Sequence, residues 1–121
     1  MSPAGRQHAH YDDLEFDDQL ALLNDTPFTG VVYARHENGQ LEIELNYIEG
    51  LPAGNQRRWY ASGQLEAEWE AVRGHGSTWS REWHPNGVLR SERINEDNFP
   101  VRIREWSEDG QLLKDSAPSL E

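Results

Sequence analysis

The 121-residue sequence has no cysteine, which excludes a disulfide framework and any thiolate-based site. Apolar residues are scarce: at 36% hydrophobic and a mean hydropathy of −0.89, the composition borders on that of disordered chains. No run approaches the roughly eighteen apolar residues of a membrane span, and Met1 to His10 lack the apolar stretch of a signal peptide. The expectation is a soluble cytoplasmic protein. Cations are also few, 11 Lys plus Arg against 22 Asp plus Glu, for a formal charge of −11. Such an excess repels nucleic-acid phosphates and anionic lipid, so neither is expected as a direct partner, and it steers cationic proteins inward.

Catalytic phrases are missing too. There is no Walker or dinucleotide motif, and the many carboxylates have no apolar setting that would raise the pKa of one of them. Ser77, after Gly74-His75-Gly76, lacks the strand-to-helix elbow of an exposed nucleophile. Of the five His, His36 and His84 share a repeat column with Tyr60, and a column that accepts Tyr is no metal site. The sequence therefore predicts no enzyme, no metal and no cofactor.

Present instead are twelve aromatics, five of them Trp, which a disordered acidic tail would not carry. A four-residue phrase recurs: Asn38-Gly39-Gln40-Leu41, Ser62-Gly63-Gln64-Leu65, Asn86-Gly87-Val88-Leu89 and Asp109-Gly110-Gln111-Leu112, in steps of 24, 24 and 23 residues. Gly50, Gly74 and Asn98 form a second column in the same period, and Trp59, Trp83 and Trp106 a third. Each unit reads as strand, Asn-Gly type I′ turn, strand, looser Gly turn. The fold predicted is all-β, an open antiparallel β-meander of about four hairpins with a thin core. Before it, Leu14 to Leu23 fits either a degenerate hairpin around Asp17-Asp18-Gln19-Leu20 or a short amphipathic helix. The divisions expected are a frayed leader over 1–10, a capping segment over 11–27, the repeat sheet over 28–115 and a frayed tail over 116–121.

If the phrase marks two-residue turns, cross-strand partners sum to a constant in each unit. Tyr33 then faces Glu44, Arg57 faces Glu68, Arg81 faces Glu92 and Arg104 faces Asp115, while Arg35 faces Glu42. On that same face Trp59 lies opposite Glu66, Trp83 opposite Arg90 and Trp106 opposite Leu113. Opposite-charge pairs of this kind contribute about 0.2–1 kcal/mol each. Leu41, Ile43, Leu45, Tyr47, Tyr60, Leu65, Ala67, Trp69, His84 and Leu89 fall on the other side, expected to be the core. Three indoles in register on the charged face are either covered by the N-terminal segment or await a partner.

The pattern Gly-x-x-x-x-Trp-Tyr-x-x-Gly-x-Leu, clearest from Gly54 to Leu65, resembles the variant MORN repeat of bacterial toxin–antitoxin and polymorphic-toxin immunity proteins. Pro27-Phe28-Thr29-Gly30, Gly63-Gln64-Leu65-Glu66-Ala67-Glu68 and His75-Gly76 followed by Arg81-Glu82-Trp83 are similar to phrases in such chains, and the likeness runs from Phe28 to about Asp115. Thr78 and Val101 depart from the pattern where Gly54 stands in the second unit. The resemblance implies a non-enzymatic cytoplasmic protein that neutralises a cognate toxin by binding it; the alternative is a scaffold or assembly module. With the acidic charge it directs attention to Trp59, Trp83 and Trp106 as anchors, and to Glu44, Glu66, Glu68 and Glu92 as contacts for a basic toxin domain. Glu42 and Glu70 are further acidic candidates.

Overall fold

A computed structural model describes residues 7–72, 76–97 and 99–116, and among these every regular element but one short 3-10 turn is a β-strand. Strand β1 (Gln7–His10) leads through the 3-10 turn Tyr11–Asp13 into β2 (Glu15–Asp17), β3 (Leu20–Leu23) and β4 (Thr26–Pro27), which form a small sheet of their own. The meander follows as β5 (Gly30–Arg35), β6 (Leu41–Ile48), β7 (Leu51–Trp59), β8 (Leu65–Val72), β9 (Gly76–Trp83), β10 (Leu89–Glu96), β11 (Phe99–Trp106) and β12 (Leu112–Ser116), each antiparallel to the next. β1 pairs parallel with β5 and completes a nine-stranded sheet.

The all-β meander of four hairpins is as the sequence predicts. Of the two readings for Leu14 to Leu23, the hairpin holds: β2 and β3 pair around a turn in which Asp18 takes a left-handed φ of 60°. Gln7 to His10, expected within a frayed leader, are ordered instead in the parallel pair, with Ala9 buried. The rest of the leader and the tail beyond Ser116 lie outside the described residues.

The turn type differs from the expected type I′. The Tyr60 N–H donates to the Gln64 carbonyl and the Gly63 N–H to the Tyr60 carbonyl, both at 2.9 Å, and Gly63 has φ +95° while Ser62 is not left-handed. The same bonds recur at His36–Gln40, His84–Val88 and Ser107–Gln111. Each loop is thus a type I turn closed by one left-handed glycine, which spares the Asn, Ser or Asp before it a left-handed backbone. A three-residue loop lowers the pairing sum by one, so Arg35, Trp59, Trp83 and Trp106 face Leu41, Leu65, Leu89 and Leu112. One strand residue is then bulged out, at Glu42, Glu66, Arg90 and Leu113, and the register returns to the predicted value. Tyr33 with Glu44, Arg57 with Glu68, Arg81 with Glu92 and Arg104 with Asp115 are therefore paired as calculated. The expected pairs of Arg35 with Glu42, Trp59 with Glu66, Trp83 with Arg90 and Trp106 with Leu113 are not formed, and Leu41, Leu65 and Leu89 leave the expected core side. The left-handed pair of a two-residue turn occurs at the opposite end of the strands, in Glu49-Gly50 with φ 49° and 87°. Gly74 and Asn98, the later members of that column, lie outside the described residues.

The core is thin and sits at the N-terminal end. Val32, Leu45 and Tyr47 on one sheet face pack with Ala9, Leu14, Ala21, Leu23 and Phe28 of the N-terminal segment, with Phe28 at 2% exposure and Val32 and Ala21 at 0%. Backbone bonds fasten this cover: Ala21 N–H to the Gly50 carbonyl (2.9 Å), Gly50 N–H to the Phe28 carbonyl (2.8 Å) and Phe28 N–H to the Ala21 carbonyl (3.0 Å). Beside it the β6–β7 ladder is interrupted by a register shift at Asn46, and the fully buried Gln56 side chain takes the place of a backbone partner there. Its Oε1 accepts from the Asn46 N–H at 2.7 Å and its Nε2 donates to the Asn46 carbonyl at 2.9 Å.

Candidate functional site

Because directly opposed residues project to one side of a sheet, the register gathers Glu44, Arg57, Glu68, Arg81, Glu92, Arg104 and Asp115 into a single row of alternating sign from β6 to β12. Arg57 reaches both neighbours, Glu68 at 2.9 Å and Glu44 at 3.6 Å. Glu92, the most enclosed carboxylate of the row, is clasped by Arg81 at 3.1 Å and by Arg104. The Arg104 hydrogen bond, seconded by that from Arg81 and by both positive charges, holds Glu92 below the usual carboxylate range against the opposing effect of desolvation. Arg104 faces Asp115 in register, yet Asp115 is held by two bonds from Arg102, at 2.9 and 3.1 Å.

Beside this row run the Trp59–Leu65, Trp83–Leu89 and Trp106–Leu112 pairs on the same face, their indoles half-buried. The Arg104 guanidinium lies 5.6 Å from the centre of the Trp106 ring. Trp79, which the repeat columns do not contain, shares the face and stacks with Arg81 at 5.1 Å; strand parity with Arg81 was the signal available for it. Glu66, as a bulged residue, is carried to the opposite face, where it pairs with Arg58 at 3.5 Å beside Trp69. Six of the seven candidates are thus brought together, Glu44, Glu68 and Glu92 in the charge row and the three Trp next to it. Of the further candidates, Glu70 accepts from the Thr78 hydroxyl at 2.7 Å.

The column of His36, Tyr60 and His84 binds each unit to the next. His36 Nε2 lies 2.8 Å from the Trp59 carbonyl, the Tyr60 hydroxyl donates to the Trp83 carbonyl at 2.7 Å, and His84 Nε2 lies 2.9 Å from the Trp106 carbonyl. A carbonyl only accepts, so both imidazoles carry the proton on Nε2. Asn38 and Asn86 add bonds to the Ala61 and Glu108 carbonyls, at 2.8 and 3.0 Å. This column is interior fastening.

Since the sheet's charge row is largely self-compensated, the negative excess lies elsewhere. Residues 7–34 hold Asp12, Asp13, Glu15, Asp17, Asp18 and Asp25 and no Lys or Arg. Among the described residues no group of three His, Asp or Glu is placed to hold a metal ion, and no helix is long and apolar enough to cross a membrane.

Residues 28–49 and 53–71 match the MORN repeat variant family. Those residues span the first hairpin and most of the second; the third and fourth hairpins repeat the same turn bonds and bulge. No curated protein and no solved structure matches the chain significantly.

Proposed function

We propose that this protein is a non-catalytic antitoxin or immunity protein, acting in the cytoplasm, that binds a basic toxin domain and blocks it. The observation that carries the reading is the row of Trp–Leu pairs: the N-terminal segment packs on the opposite face, so among the described residues no segment covers the three half-buried indoles beside a row of fixed charges. Aromatic anchors rimmed by ordered polar groups are the usual makings of a binding hot spot. The acidic N-terminal sheet supports the same reading by attracting a cationic partner over a distance.

Co-expression with any toxin gene found beside this one tests it. Survival with the protein and death without it is the expected outcome. Trp83→Ala, the central anchor, is expected to weaken the complex by about 2 kcal/mol with the fold retained, and association is expected to slow as salt rises. Equal killing with and without the protein overturns the reading. A stable complex that leaves the toxin active supports the scaffold role with which MORN repeats are also compatible.

A further inference from the structure

We propose a second binding surface, on the face opposite the Trp–Leu pairs: a trough that takes an extended protein segment with apolar side chains at one end and carboxylates at the other. The proposal does not depend on the immunity reading. Where the N-terminal cover stops, the sheet face beyond it is open, and three cavities of about 480, 290 and 630 Å³ follow one another across it. The first and second share Arg58 and Trp69, and the second and third share Ser77, Ser80 and Glu82, so they form one groove. It crosses from β6 to β11, five strand spacings of about 4.8 Å or roughly 24 Å, the length of about seven extended residues.

The two ends differ in chemistry. At the cover, the floor is Ala34, Ile43, Leu45 and Trp69, none of them fully buried. At the far end, which Trp106 of the outermost Trp–Leu pair also lines, stand Arg90 and Arg93, with Lys114 opposite the lining residue Glu105. Among the described residues these three are the cations that have neither an ion pair nor a hydrogen bond, whereas Arg57, Arg58, Arg81, Arg102 and Arg104 are all ion-paired and Arg35 donates to a carbonyl. In a chain of charge −11, the free cations among the described residues stand together at one end of one groove, two lining it and Lys114 beside it. Carboxylates line the groove as well, Asp12 and Glu42 at the cover and Glu82, Glu92 and Glu105 at the far end; of these last, Glu92 is clasped by Arg81 and Arg104, Glu82 accepts from the Ser91 hydroxyl at 3.4 Å, and Glu105 is exposed. With Glu92 already paired, three unpaired cations stand there beside two carboxylates that no ion pair engages, in a molecule that is acidic as a whole, and guanidinium forks suit carboxylates. Apolar contact at one end and charge complementarity at the other give the segment one direction along the trough.

The test uses two fluorescein-labelled octapeptides, one with Leu-Phe at one end and three Glu at the other, the second with Lys for Glu, titrated by anisotropy in low salt. The acidic peptide is expected to bind at least about tenfold more tightly than the basic one, a difference of about 1.4 kcal/mol. The double variant Arg90→Glu/Arg93→Glu is expected to lose that preference with an unchanged melting temperature, since neither side chain has an internal partner to lose. Trp69→Ala is expected to weaken the acidic peptide as well. Equal or tighter binding of the basic peptide, no binding of either up to about 1 mM, or an unchanged preference in the double variant overturns the proposal. So does a dimer in sedimentation that the double variant dissolves, because the trough would then belong to a second copy of the chain.

Discussion

Glu92 shows how far one side chain's surroundings set its energetic role. Exposed cross-strand ion pairs are worth little, but this carboxylate is only 9% exposed and receives two guanidinium donors. Its pKa in the folded chain lies below the value of 4.5 it has when free, so its stabilisation is complete above that value and is lost as the pH falls through the lowered one. Glu92→Gln should cost about 1–2 kcal/mol in urea unfolding at neutral pH, and the two proteins should converge in acid. A constant gap across the acid range would show that the charge is not what matters. Tyr47 acts at the other extreme. Burial, with a smaller contribution from Tyr11, raises its phenol above 10.0, so its stabilisation is complete below that value and is lost as the pH rises through the higher one. An ultraviolet pH titration should show one tyrosine ionising later than the rest. Gln56 has no counterpart in the sequence reading, because nothing in a polar Gln signals that its buried side chain will substitute for a backbone partner in the ladder. Gln56→Leu should cost about 2 kcal/mol or more, since it strands both backbone groups of Asn46.

At the level of the hairpin, the predicted register was right for a reason that indices alone do not reveal. A three-residue loop followed by a one-residue bulge leaves the distant partners where a two-residue loop would put them, so Arg57 and Arg81 were legible while the neighbours of Trp59 and Trp83 were not. The bulge also decides the fate of Glu66, which simple alternation places beside Trp59. The column of His36, Tyr60 and His84 was visible as a pattern, but its meaning needed the next strand in place: a donor long enough to reach a carbonyl one unit on. Tyr60→Phe should cost about 1 kcal/mol through the lost bond to Trp83. Gly50→Ala should be far more damaging, because the backbone is left-handed at φ 87° and the added carbon would come within 2.6 Å of Leu20. Thermal melts of the two variants provide the comparison; similar losses would mean that the turn can shift away from Leu20.

For the whole molecule, the repeat period announced the meander but not the layer that covers it. Apolar residues at Leu14, Phe16, Leu20 and Leu22 suit either period, and β1 gives no hairpin signal because it runs parallel to β5. A parallel pair needs a long crossover, and here the crossover is the small sheet itself, laid over the face that holds Val32 and Tyr47. All the described buried aromatics and the three bonds of the cover therefore sit at one end of a sheet whose last strand is exposed at every residue. Such an array opens like a zip from its loose end, since each unit leans mainly on its neighbours. Native-state hydrogen exchange should accordingly be graded, fastest in β12, slower through β10 and β8, and slowest in β5 and β6, where opening requires global unfolding. Uniform protection along the sheet would mean that the row of Arg and Glu couples the far strands more tightly than their exposure suggests. With a graded profile, a partner that grips Trp83 and Trp106 would hold shut the half of the protein least able to stay closed alone, and the complex would melt as one body although the free chain does not.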